Sequence, residues 1–418
     1  MIGMRLLTVA LLLLQSLAAS AQPFVGDEVL SDVLNPANAV ISAVAPAVAM
    51  AQDLHGVAIA WTMRNALGAN AVYVARLDAA GRIVAPATEI SGIGIEVEAY
   101  WPSIAASPDG TGFTLAWVEL LRPPRTDLVR AFYCQLDANL KPSEQHILAA
   151  MRAATITAPA IVRSGKATWI SFNGTVREIR ADGSLGPELN AGVPVSDMVA
   201  TSDYPKVVSG QSVETGWICT GDPTCSLGGP FIGYCHEACR IYRYAYELRF
   251  VSLHTGQAMR TMAFKSESRP AIQSDGRDVL VAWMNGEQGA GGTVTAVHLS
   301  ARSFVNVDWE LQNEQDIGTF GADVVATRPD NATDGERYVV VWSTKKLNGD
   351  RDVVGASIDR EGNVTNFSIA TTDADEHDPS VLMTAPGNFL VAYEKLSQSE
   401  RRVATRSLKF NKRRRAVH

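Results

Sequence analysis

Short apolar runs, each ending in an aromatic residue, recur along the chain, separated by polar stretches rich in Gly, Asp and Asn. Tyr338-Val339-Val340-Val341-Trp342 and Val279-Leu280-Val281-Ala282-Trp283 are apolar at every position. A strand buried on one face alternates, so unbroken runs of this length predict strands covered on both faces. Further along each copy the pattern alternates, as in Val72-Tyr73-Val74-Ala75-Arg76-Leu77-Asp78 and Val353-Val354-Gly355-Ala356-Ser357-Ile358-Asp359. Those runs predict strands nearer an outer edge. No stretch combines helical periodicity with caps, so the chain is read as all-β with almost no helix.

The runs belong to a repeat of roughly 55 residues. Each copy opens with Pro, any residue, then Val or Ile. The openings are Pro46-Ala47-Val48, Pro102-Ser103-Ile104, Pro159-Ala160-Ile161, Pro205-Lys206-Val207, Pro270-Ala271-Ile272, Ala322-Asp323-Val324 (without the Pro) and Pro379-Ser380-Val381. Seven aromatics close the second strands: Trp61, Trp117, Phe172, Trp217, Trp283, Trp342 and Tyr393. Pro at the start of an innermost strand is tolerated, because that residue need not donate to the ladder. The expected architecture is a β-propeller of about seven four-stranded antiparallel blades, spanning 22–410 as one domain. The last copy stops after its third strand, Val403 to Phe410, and the segment Val29 to Val44 has no blade of its own. That segment is expected to supply the missing outer strand and close the ring.

Composition adjusts this picture little. Hydrophobic residues make up 46% and charged residues 19%, ordinary for a folded chain. The net charge of −7 argues against nucleic acid or anionic lipid as a partner for the whole molecule. Residues 1–21 read as a signal peptide: Arg5, an apolar core from Leu6 to Leu14, then Ala19-Ser20-Ala21 at a cleavage site. The expected location is therefore secreted, periplasmic or at the cell surface. No later segment is long and apolar enough to form a transmembrane helix. The chain ends in a basic tail, 411–418, read as solvated.

The repeat resembles those of secreted bacterial β-propeller-like proteins of unassigned activity. The likeness is carried by Pro-Ala-Val or Pro-Ser-Val, a Val-Val-Val-Trp strand and Asp352-Val353-Val354-Gly355-Ala356-Ser357-Ile358-Asp359. It covers nearly the whole mature chain, best in copies five to seven, and implies fold and export rather than an activity. Ser107-Pro108-Asp109-Gly110-Thr111-Gly112 is similar to the Ser-x-Asp-x-Gly-x-Thr-Trp box of sialidases but lacks its Thr-Trp, and is read as a turn.

Four cysteines, Cys219, Cys225, Cys235 and Cys239, fall in one insertion, 218–240, of the fourth copy. In an exported chain they are expected to form two disulfides, with adjacent pairing closing the smallest loops. Cys134 lies on a third-strand pattern and is read as a buried lone thiol.

Loops entering the innermost strands and leaving the second strands collect at one mouth of such a ring. This places Tyr100, Trp101, Asp203, Tyr204, Arg269, His377 and Asp378 as ligand-binding candidates, with Arg64, Glu119, Asn173, Asn285, Lys345 and Glu394 on the adjoining loops. Asp373 and Asp375 belong to the densest acidic cluster, and Asn348, Asp350 and Asp352 show a partial Asp-x-Asp spacing. Ca²⁺ is the ion such oxygens would hold. Acidic surface loops are commoner than ion sites, so no metal or other cofactor is expected. Linear catalytic motifs are absent, which points away from an enzyme. The expectation is a monomeric, non-catalytic propeller binding an extracellular or periplasmic glycan or protein through one face. The alternatives are a carbohydrate-active hydrolase or lyase with carboxylates on different blades, drawn from Glu98, Glu119, Glu267 and Asp378, and a structural cell-surface protein.

Overall fold

The computed structural model describes residues 22–30, 35–36, 48–65, 68–91, 97–121, 128–152, 158–164, 166–192, 194–199, 205–219, 240–253, 258–264, 270–276, 278–287, 291–300, 311–320, 329–345, 349–397 and 400–411. All regular structure among these residues is strand. The strands form antiparallel sheets in which sequence neighbours are also spatial neighbours. The second sheet is typical, with Val97–Ala106 innermost, followed by Phe113–Leu121, Leu128–Leu136 and His146–Arg152. Innermost strands of the other sheets are Val48–Asp53, Ala160–Ser164, Asp197–Val199, Ala271–Ser274, Asp330–Thr333 and Asp375–Ala385. Each of these touches the next, and Asp375–Ala385 touches Val48–Asp53. Four-stranded sheets standing side by side around an axis are the arrangement of a β-propeller.

The core lies between sheets rather than within one layer. Val339, Val341 and Val353 of the sixth sheet pack on Phe389, Val391 and Tyr393 of the seventh. The other face of that last sheet, with Leu390, Ala392 and Val403, meets Ile59 and Trp61 of the first. This two-sided burial explains why the second strands read as unbroken apolar runs. At the same junction Gly81 has a φ of +85°, and a Cβ there would lie 2.3 Å from Thr405 Oγ1. The Thr405 hydroxyl donates to the Gly81 carbonyl at 2.9 Å. A buried ion pair within the first sheet reaches toward the second: Arg76 grips Asp53 at 2.7 and 2.9 Å and donates to the Ala138 carbonyl at 2.7 Å.

Polar joints run between innermost strands. An innermost strand has a ladder partner on one side only, so its axis-facing amides need acceptors from elsewhere. Ser103 Oγ accepts from the Ile161 amide at 3.2 Å, Asp197 from Ile272 at 3.1 Å and Asp330 from Val381 at 2.9 Å. In each case the donor is the Val or Ile of the opening phrase. The acceptor is the residue preceding that position in another sheet's copy.

This register corrects two of the expected openings. In the fourth sheet, Lys206 lies not on the innermost strand but at the start of the second, Lys206–Cys219, and the innermost strand is Asp197–Val199. Ser196 stands there where Pro is usual, so the Pro-based pattern passed over it. Lys206 is buried, and burial pushes its amine down to about 7. In the sixth sheet the Pro is present: Pro329-Asp330-Asn331 opens the strand, while Ala322-Asp323-Val324 lies outside the described residues. Pro102 and Pro379 also sit within their strands rather than at the start. Trp101-Pro102 faces Trp117 alone and Asp378-Pro379 faces Tyr393 alone, each pair forming a bulge that frees the Pro from donating.

N-terminal residues pair with the last strand, Glu400–Lys409, starting earlier than expected: Phe24–Val25, Val29–Leu30 and Asn35–Pro36 run antiparallel to it. Glu28, between two of these segments, accepts from Lys395 Nζ at 2.7 Å and from the Tyr393 hydroxyl, with Arg406 3.9 Å away. Residues 31–34 and 37–44 of the expected closing segment, the expected signal peptide 1–21, 220–239 of the cysteine insertion and 412–418 of the tail lie outside the described residues. Cys134 is fully buried on its third strand, and burial pushes its thiol up to about 12.

Burial by itself raises the Glu28 pKa, but the hydrogen bonds from Lys395 and Tyr393, with the Lys395 and Arg406 charges, outweigh it and hold the carboxyl below its ordinary value. A depressed folded pKa contributes stability above the unfolded value and loses it as pH falls through the folded value. Glu28→Gln is therefore expected to cost about 2 kcal/mol at pH 7. It should also flatten the decline in melting temperature between pH 7 and pH 3. Parallel melting curves for the two proteins across that range would refute the role assigned to Glu28.

Candidate functional site

The end of the ring where innermost strands begin and second strands finish carries most of the singled-out residues. In the second sheet the bulge holds Trp101 at a φ of 56°, and in the seventh the equivalent bulge holds Asp378 at 51°. Left-handed backbone is uncommon for residues with a Cβ, and such strain concentrates where side chains are aimed for a task. Both residues immediately precede the repeat Pro, so one structural device is used twice.

The two bulges present different surfaces. Tyr100 and Trp101 are buried at 9% and 5% exposure, packed on Val118, Val129, Ala131 and Phe172. Their rings belong to the wall between the second and third sheets and offer no open stacking face. Tyr100 is nonetheless polar at its tip: its hydroxyl donates to Glu98 and accepts from Asn70 Nδ2 at 2.8 Å. Nearby, Glu119 takes hydrogen bonds from Trp117 Nε1 at 3.2 Å and Arg130 at 3.0 Å. Its burial outweighs both and raises its pKa.

The seventh sheet collects titratable groups instead. His377 and Glu394 face each other across the strand pair, and both are buried. His377 Nδ1 lies 2.8 Å from Asp378 Oδ2, and Nε2 lies 3.9 Å from Glu394 Oε2. The Asp378 amide donates to Ser343 Oγ of the sixth sheet at 3.1 Å, which fixes the bulge against its neighbour.

Beside this group a cleft of ≈ 580 Å³ opens between the sixth and seventh sheets, lined by Asp350, Thr372, Asp373, Asp375, Lys395 and Ser397. Two acidic stretches that are separate in sequence meet there. Asp375 is engaged by Arg351 through Nε at 2.8 Å and Nη2 at 2.7 Å. Burial alone would raise the Asp375 pKa, but the Arg351 guanidinium holds it below the carboxylate range. Asp373 is exposed. A carboxylate that remains ionised while gripped by Arg351 is a poor ion ligand, so the cleft is better suited to accepting hydrogen bonds than to holding Ca²⁺.

Asp203, Tyr204 and Arg269 lie outside the described residues. The cysteine insertion springs from the same end: the second and third strands of the fourth sheet stay paired out to Cys219 opposite Arg240. A cavity of ≈ 60 Å³ lies between the innermost strands, lined by Pro102, Ser103, Pro159, Asp197, Asp330, Pro379 and Ser380 among others. The sialidase-like stretch forms a turn, with the Gly110 amide donating to the Ser107 carbonyl at 2.9 Å and the Thr111 amide to Asp109 at 3.0 Å.

No protein-family model matches the sequence, and no curated protein matches it significantly. Among solved structures, the chain is similar to a protein of unknown function from Dyadobacter fermentans, at 11% identity and a TM-score of 0.47, covering 93% of this chain and 100% of that one. It is similar to the β-propeller domain of the trilobed protease from Pyrococcus furiosus, at 10% identity and a TM-score of 0.46, covering 93% and 99%. A Trypanosoma rangeli sialidase is matched at 9% identity and a TM-score of 0.46, covering 92% of this chain and 59% of the sialidase. Likeness of this degree assigns no activity. No described helix is long and apolar enough to cross a membrane.

The buried position of Trp101 separates scaffold from binding surface. Trp101→Ala is expected to destabilise the fold by about 3–5 kcal/mol, read by chemical denaturation. A variant of unchanged stability would show that the ring is not part of the packed wall.

Proposed function

We propose that the chain is an exported, non-catalytic propeller of seven blades, sealed by its N-terminal strands, that binds a glycan or protein ligand through its mouth face. The observation that supports this most is the convergence of polar groups from separate sheets on one end. The cleft at Asp350, Asp373 and Asp375 opens beside the His377 group. Several carboxylate oxygens along a groove suit a partner rich in donors, such as sugar hydroxyls or a basic peptide segment. The cysteine insertion leaves the fourth sheet at the same end, where it can border the bound partner.

A second reading, a carbohydrate-active hydrolase, draws on the hydrogen bond between the Tyr100 hydroxyl and Glu98. A phenol paired with a carboxylate base is one form of activated nucleophile. The burial of Tyr100 favours the binding reading.

The test is a glycan array probed with the mature protein, Gln22 to His418, with and without Ca²⁺, followed by a turnover assay on any glycan bound. Specific retention without turnover is expected, weakened about tenfold or more in an Asp350→Asn/Asp373→Asn double variant, a loss of at least ~1.4 kcal/mol. Turnover of the bound glycan that Glu98→Gln abolishes would replace the binding reading with the hydrolase. A blank array, together with no capture of basic peptides, would leave only a structural role.

A further inference from the structure

We infer that His377, Asp378 and Glu394 form a binding site for a first-row divalent cation such as Mn²⁺ or Zn²⁺. The inference rests on donor geometry and does not depend on the ligand proposed above. One ring nitrogen and one oxygen from each carboxylate all lie within 4.8 Å of one another. The ring meets a carboxylate at each nitrogen, Nδ1 lying 2.8 Å from Asp378 Oδ2 and Nε2 3.9 Å from Glu394 Oε2. Donors bound at ~2.0–2.2 Å sit roughly 3 Å apart around a small cation. A single ring nitrogen serves the ion, so binding requires the carboxylates to turn toward it.

Three features separate this group from an acidic surface patch. It includes an imidazole, a ligand suited to first-row metals and foreign to Ca²⁺ sites built from oxygen. Its side chains are fixed before any ion arrives: His377 and Glu394 stand on paired strands at 7% and 4% side-chain exposure, and Asp378 is held by the bulge. Its charge also suits a dication. Two carboxylates stand beside the imidazole in a largely buried setting, where a dication would offset their charge. Among the described residues no other group of His, Cys, Asp or Glu meets this donor geometry. Three protein donors leave coordination positions for water or for a ligand in the mouth, the arrangement of an open site rather than a closed structural one.

The test uses the mature protein stripped with EDTA and titrated with Mn²⁺, with free ion followed by its paramagnetic resonance signal. Mn²⁺ is chosen because any reduced cysteine would compete for softer metals. One tight equivalent is expected in the parent protein. His377→Ala and Glu394→Gln should each weaken it about tenfold or more, while Asp373→Asn leaves it unchanged. Glu394→Gln keeps the side-chain volume, and its melting temperature reports whether the fold survives. Absence of a tight equivalent in the parent, binding unaffected by both substitutions, or loss in Asp373→Asn would each overturn the assignment.

Discussion

Every sheet in this molecule must dispose of an edge that faces the axis. An innermost strand has one ladder partner, so half of its amides would point into the centre without acceptors. The chain answers with side chains borrowed from other sheets: Ser103 for Ile161, Asp197 for Ile272 and Asp330 for Val381. Asn331 adds a bond to the Ala271 carbonyl at 3.3 Å. These joints hold innermost strands in register with one another, so the apolar faces between sheets can interleave. Hydrophobic contact alone is non-directional and would let the sheets slide. The short side chains that make the joints, flanked by Pro, also line a small cavity between the innermost strands.

The same inner strands create the mouth. Where Pro interrupts the ladder, the chain takes up an extra residue as a bulge, and the residue before the Pro is forced into left-handed backbone. In the second sheet this residue is Trp101, and it turns into the wall. In the seventh it is Asp378, which joins His377 and Glu394. One backbone device thus gives a packing anchor in one blade and a cluster of polar donors in another. The difference lies in the side chains alone, as expected of repeats that share a scaffold but not a site.

Much of the fold was legible in the sequence because its signals are local. Runs apolar on both faces marked the second strands, and Pro-x-Val marked five of the described innermost strands. The fourth and sixth copies were misplaced for a definite reason. Asp197-Met198 lacks the Pro, and Pro329-Asp330-Asn331 lacks the Val, yet both keep the acceptor residue that the joint requires. The acceptor is the physical constant and the Pro is its frequent companion, but one copy read alone cannot reveal which partner an Asp serves. The site was legible only in part. Position relative to Pro placed Trp101 and His377 at the mouth, but whether a ring faces inward or outward depends on the neighbouring sheet, and Phe172 lies far from Trp101 in sequence. Glu394 was visible as a loop neighbour but not as the partner of His377, since the bulge that aligns them is set by tertiary pairing.

Hydrogen exchange at single-amide resolution tests the joints most directly. The account predicts that the amides of Ile161, Ile272 and Val381 exchange as slowly as ladder amides in the second strands, and that Asp330→Ala accelerates Val381 while sparing Ile161. Exchange at Val381 as fast as in the connecting loops of the intact protein, or unaltered by Asp330→Ala, would contradict it.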